Sequence, residues 1–227
     1  MTVLKDYIRR YTTIAATLDI LRRKELPLLN PETWDDRNDR FFMERYKSVK
    51  GIEGFYALCA AQCSETYHHW RVFTGAADGA CLEIKRAPLE AALTGVPGIT
   101  FREVTYLRLD EVDALTEADV DRLPFVKRVG FAPEEEYRII LETDELQRAA
   151  YNIELPHSMI GQVFLNPWLP KPLAESVIAS IRDIPGCSKL KVSRSHLIDN
   201  ARWKEAGNRV VGIKKPKKPP ALKLKKV

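Results

Sequence analysis

Glu134-Glu135-Glu136-Tyr137-Arg138 sets three carboxylates directly ahead of the apolar run Ile139-Ile140-Leu141, which has the composition of a buried strand. In an extended chain Glu134 and Glu136 share one face and Glu135 and Tyr137 the other. Arg138, on the face of Glu136, stands ready to pair with it. A carboxylate fixed at the start of a rigid strand beside an arginine is either a structural ion pair or a catalytic group. A second cluster, His68-His69-Trp70-Arg71, falls on an expected helix. One reading packs Trp70 and Phe73 into a helix–sheet interface with the histidines at its rim. The other makes the helix one wall of a ligand pocket, with Trp70 a platform and Arg71 an anion contact. The third cluster is Trp34-Asp35-Asp36-Arg37-Asn38-Asp39. It lacks the central glycine and spaced glutamate of a calcium loop, and Asx turns account for such a run. Its place after an apolar segment also suits a functional loop. Cys59 and Cys63, followed by His68-His69, invite a zinc reading. Adjacent histidines on a helix point about 100° apart and rarely share one metal, so no metal is expected.

The elements that must position these groups read as a mixed set. A strand over 7–12 carries Arg10 and Tyr11, and Thr13 caps a helix whose apolar face is Ile14, Leu18 and Leu21. A buried extended segment at 26–29 and a helix over 41–50, closed by Gly51, come next. Strands are expected at 55–60 and 80–84, with a helix from Ser64 to Gly75 between them and a short helix at Pro88 after them. An alternating strand at 99–107 precedes a polar helix over 110–128, and then the glutamate strand at 136–141. Further strands at 151–155, 163–165 and 190–192 surround an amphipathic helix over 172–182. Strands interrupted irregularly by short helices predict an α+β fold, a single mixed and mostly antiparallel sheet domain.

Length and charge bound the rest. With 227 residues, 45% hydrophobic and 30% charged, the chain suits one globular domain, placed at 1–212. The net charge of +5 belongs to residues 214–227, which hold seven lysines and no acid and leave the remainder at −2. Three prolines mark 213–227 as a disordered basic tail, either a solubilising terminus or a weak, non-specific attractor of nucleic acid. No apolar run reaches membrane-span length and the N-terminus lacks a secretory pattern, so a cytoplasmic location with no membrane partner and reduced thiols is expected. Phosphate-loop, dinucleotide-fingerprint and nucleophile-elbow motifs are absent.

The order TLDILRRKELPLLNPETWDDRND, HHWRVFTGAADGACLEI and EEEYRII resembles the domain-of-unknown-function 2971 family over about residues 5–205. The strand–threonine–helix opening and the late glutamate strand also resemble the layout of ADP-ribosyltransferases. That resemblance implies NAD or a related nucleotide as ligand. It puts Arg10 on the first strand as the ribose contact and Glu136 as the catalytic carboxylate, with Tyr67 or Phe73 as the ring stacked on nicotinamide. It draws Tyr11, Asp36, Asn38, Asp39, His69, Trp70, Arg71 and Arg138 into the binding set. Loss of nicotinamide passes through an oxocarbenium-like centre, which a neighbouring carboxylate stabilises. A non-catalytic effector or interaction module, in phage defence or stress response, is the alternative. A metal-dependent nuclease using Asp36, Asp39, Glu83 and Glu136 ranks third.

Overall fold

The computed structural model describes residues 6–212, Gln147 excepted. The expected basic tail lies outside the described residues. Among the described residues eleven strands and seven helices alternate with short 3-10 turns in an α+β arrangement. The strands are β1 (Tyr7–Thr13), β2 (Glu25–Leu29), β3 (Gly54–Ala61), β4 (Gly79–Lys85), β5 (Ile99–Glu103), β6 (Thr105–Leu107), β7 (Val126–Arg128), β8 (Glu136–Thr143), β9 (Ala150–Glu154), β10 (Ile160–Leu165) and β11 (Val192–Arg194). The helices are α1 (Ile14–Arg23), α2 (Arg37–Lys50), α3 (Tyr67–Phe73), α4 (Arg86–Leu93), α5 (Leu109–Val112), α6 (Lys171–Arg182) and α7 (Ala201–Val210).

One nine-stranded sheet runs β11-β10-β4-β1-β3-β2-β9, with β8 on β3 and β5 on β8. Its ladders are antiparallel except β10 with β11. The sequence FYALCAA of β3 shows why it sits centrally, because both of its faces are covered. Tyr56, Leu58 and Ala60 enter the main core, which also takes Ile20 and Leu21 of α1, Leu89 of α4 and Ile181 of α6. Phe55 and Ala57 enter a second cluster with Met43 and Tyr46 of α2. Ala61 joins a third with Tyr11, Cys63, Trp70 and Cys81.

Local signals set most boundaries. Thr13 caps α1 as expected, its Oγ1 accepting from the Ala16 N–H at 3.1 Å. Helix α2 begins at Arg37 rather than Phe41, because Asp36 accepts from the amides of Asn38 and Asp39 and starts the helix early. It ends at Gly51, whose φ of 65° suits glycine. Helix α3 starts at Tyr67 rather than Ser64, since Thr66 is its cap. The polar helix expected over 110–128 does not form. Instead α5 stops at Val112, a capping box at Thr116 restarts the chain as a 3-10 run over Glu117–Phe125, and Pro124 precedes β7. The strand expected over 99–107 breaks at buried Val104, so β5 pairs with β8 while β6 pairs in parallel with β7. The last strand lies at Val192–Arg194, later than expected, and α7 follows it without warning. No described helix is long and apolar enough to cross a membrane.

Candidate functional site

The sheet opens where β1 leaves β3. These strands share one register position, Arg9 opposite Ala61, whereas β1 follows β4 through seven. On the same edge of β3, β2 pairs only at Leu29 opposite Ala57. Between those two points the edge is unpaired, and alternation turns the Cys59 carbonyl into the gap. Arg10 answers it, NH1 donating at 3.0 Å. A cavity of about 530 Å³ fills the gap, within the range of small-molecule sites. The aromatic rings of Tyr11, Trp34, Phe73 and Phe131 contribute to its walls.

Its floor is a buried ionic cluster. Arg138, fully buried, donates from NH1 and NH2 to the two oxygens of Asp39 at 3.0 and 2.8 Å, and from Nε to Glu136 Oε1 at 2.7 Å. Its NH1 also donates to the Pro124 carbonyl at 2.7 Å, and its guanidinium stands 5.0 Å over the Trp34 ring. Lys127 Nζ bonds Glu134 Oε2 at 2.6 Å and Glu136 Oε2 at 3.3 Å, with Asp39 Oδ2 at 3.9 Å. Burial works against ionised Glu136, but the charges of Arg138 and Lys127 override it and hold the carboxyl down at about 2. Burial pushes Glu134 and Asp39 up instead. Glu136 is therefore the carboxylate most firmly held as an anion.

Three carboxylates against two cations leave the floor with one negative charge in excess. Across the cavity stands Arg10, partly buried and electrostatically coupled to Glu136. Among the described residues it forms no ion pair, and the Cys59 carbonyl takes its hydrogen bond. The cavity thus has an acidic floor and a cationic wall with donors to spare.

Six of the twelve residues expected in the site line this cavity: Arg10, Tyr11, Asp36, Asp39, Phe73 and Glu136. Arg138 lies beneath it, holding Asp39 and Glu136. Asn38 is exposed on the first turn of α2. The turn of α3 divides the remainder. His69 and Trp70 point inward and are buried, so Trp70 offers no platform; its Nε1 donates to Glu65 at 3.0 Å. His69 donates from Nε2 to the Glu134 carbonyl at 3.1 Å and packs against Tyr11 with ring centroids 5.2 Å apart. Tyr67 and Arg71 face outward, where Arg71 stands 3.9 Å over Trp168. Of the four acids in the metal-dependent nuclease alternative, Glu83 does not line the cavity and is tied to Arg9 at 2.8 Å. No described group of His, Cys, Asp or Glu is arranged to hold a metal ion.

Lys127, Phe131 and Cys59 enter the cavity without having been expected there. Trp34 and Glu134 stood inside clusters that drew attention, yet neither was assigned a role. The glutamate strand starts at Glu136 as expected, so the alternation applied to Glu134 and Glu135 does not hold. Glu135 adopts φ 42°, so Glu134 reaches Lys127 from a turn rather than from the strand.

No protein-family model matches the chain, and no curated protein matches it in sequence. The resemblance to domain-of-unknown-function 2971 is not confirmed by that comparison. Among solved structures the chain is similar to Thermus sp. 2.9 DarT in complex with NAD+, at 12% identity and a TM-score of 0.45, over 86% of this chain and 98% of that one. It is likewise similar to Thermus sp. 2.9 DarT in complex with ADP-ribosylated ssDNA, at 13% identity and a TM-score of 0.45, over 84% and 94%. A likeness at that level carries no argument about this chain.

Proposed function

We propose that the cavity binds NAD or a related dinucleotide and that the chain is an ADP-ribosyltransferase-type enzyme. The observation that carries this reading is the polarity of the cavity, a floor with excess negative charge around Glu136 facing the uncommitted cation Arg10. A ligand matched to both ends carries anionic phosphates and, some ångströms away, a centre that is or becomes cationic. NAD has both. Its diphosphate would meet Arg10, and its nicotinamide ribose would lie over Glu136. Phe73 takes the stacking role, since Tyr67 lies outside the cavity.

In the reaction the bond from ribose C1′ to the nicotinamide nitrogen breaks and nicotinamide leaves neutral. Positive charge develops on the ribose, and an acceptor's nucleophile closes on C1′ while its proton departs to a base. Glu136, held as an anion in a partly water-excluded floor, stabilises the developing charge. Arg138 fixes one oxygen of its carboxylate before the reaction, so little reorganisation is needed at the transition state. Tyr11 is nearly fully buried, packs against His69 and Trp70, and contributes its ring to the cavity wall.

The test is release of nicotinamide from NAD by the purified chain, measured chromatographically. Glu136→Gln should lower the rate by about 10²–10³-fold, the usual cost of losing one preorganised transition-state contact. A wild-type chain that neither binds NAD nor releases nicotinamide would end this reading.

A further inference from the structure

The ionic floor contains a cation that neither the sequence motifs nor the proposed reaction accounts for. Lys127 reaches the cavity from β7, a strand of the small two-stranded sheet rather than of the main one. Its side chain is 9% exposed, and its stem is spent on carrying one ammonium into a nest of acids. That ammonium bonds Glu134 and Glu136 together, stands 3.9 Å from Asp39, and lies 4.7 Å over the Phe131 ring. Glu136 is consequently gripped on both oxygens, Oε1 by Arg138 and Oε2 by Lys127.

The two grips differ in kind. The Arg138 contact is short and sits within a bidentate Asp39 pair that also anchors α2 to β8, so it belongs to the fold. The Lys127 contact is longer, at 3.3 Å, and shared with Glu134 at 2.6 Å. It faces the cavity, since Lys127, Glu134 and Glu136 all line it while Arg138 does not. A lone lysine holding the cavity-facing oxygen fixes the direction in which the carboxylate presents itself to a ligand, at modest cost to the fold.

From this geometry we infer that Lys127 is a positioning residue, which orients the cavity-facing oxygen of Glu136 through its shared bond to Glu134 and keeps that carboxylate charged for the chemistry. The inference rests on the proposed function and deepens it. The groups facing Glu136 are Lys127 from β7, Arg138 from β8 itself, Asp39 from α2, Glu134 from the preceding turn, Cys59 from β3 and Arg10 from β1. Tyr106 of β6 approaches only its backbone, its hydroxyl accepting the Glu136 N–H at 2.8 Å. Of these, Lys127 and Arg138 hydrogen-bond the carboxylate as cations, and Lys127 is the one whose replacement leaves the Asp39–Arg138 anchor intact.

The sign of the effect follows from charge. A cation beside a carboxylate favours its ionised form, and removing it raises the proton affinity by about 1–3 pH units. Activity that needs ionised Glu136 would then be lost earlier as the pH is lowered. The experiment compares nicotinamide release against pH for wild type, Lys127→Arg, Lys127→Met and the charge-balanced pair Lys127→Met with Glu134→Gln. The pair removes cation and partner together, so no carboxylate is stranded and folding is kept; circular dichroism verifies this. The acidic limb should move upward by about 1–3 pH units in both variants carrying Lys127→Met and stay near wild type in Lys127→Arg. An unmoved limb in a folded, active charge-balanced pair would overturn the role of Lys127. Absence of nicotinamide release in the wild type would instead defeat the proposed function, so the two failures are distinct.

Discussion

Arg138→Met removes the cation on which the cavity floor is built. The wild-type guanidinium makes two bonds to Asp39, one to Glu136 and one to the Pro124 carbonyl, all between 2.7 and 3.0 Å and all buried. Methionine roughly keeps the volume but leaves the Asp39 and Glu136 carboxylates facing each other with only Lys127 near both. Breaking a buried pair in this way costs about 3–5 kcal/mol, because the stranded charge loses its partner without regaining water. A domain of this size shifts in melting temperature by about 2–4 °C per kcal/mol, so the midpoint should fall by about 6–20 °C. The control is Arg23→Ala, whose partner Asp19 lies on an exposed turn of α1 with both side chains more than half exposed; it should change stability by under about 1 kcal/mol. Thermal denaturation followed by circular dichroism reads both. Adding Asp39→Asn to Arg138→Met should recover part of the loss by discharging one stranded acid. A loss below about 1 kcal/mol in Arg138→Met would refute the claim that this cluster is a preorganised ionic floor.

Two further outcomes follow from groups around the cavity. Burial holds His69 below its ordinary 6.5, so the unfolded chain binds more protons than the folded one as pH drops through that value; stability should decline from pH 7 to pH 5, less steeply in His69→Gln, and an identical slope in the two would sink this assignment. All four cysteines are free and burial raises every one of these thiols, Cys59 well above its ordinary value, so access sets the order of labelling: Cys63, Cys81 and Cys187 are buried, whereas half-buried Cys59 lines the cavity. In the native chain a small thiol reagent should label Cys59 first, and saturating NAD should slow that labelling; mass spectrometry showing another cysteine first, or no protection, would contradict the placement of the ligand.

The parts of the fold legible in the sequence are those where one local signal agreed with the core. Thr13 before an amphipathic run, Gly51 after one, and FYALCAA between polar turns each have a single physical reading, and each formed as expected. The Arg138–Glu136 pair followed from strand alternation alone. The segment from 110 to 128 reads as a helix because its acids and short apolar steps fit one until Pro124 is considered, and buried Phe125 and Val126 draw the chain to α2 instead. Lys127 was hidden by that error, since a lysine in a polar helix carries no signal of burial. On α3 the phase was the difficulty. His69 and Trp70 face the core and Tyr67 and Arg71 the solvent, a rotation that a seven-residue helix with aromatic and polar residues on every side does not specify. Helix α7 buries none of its residues, so no core-facing stripe announced it.

Isothermal titration calorimetry of NAD into the wild-type chain and Arg10→Ala tests the central claim most directly. The account predicts saturable one-to-one binding in the wild type and affinity weaker by about tenfold or more in Arg10→Ala, because a charge-assisted contact to a ligand anion contributes about 1.5–3 kcal/mol. Equal affinities in the two proteins, or no saturable heat with the wild type, would contradict it.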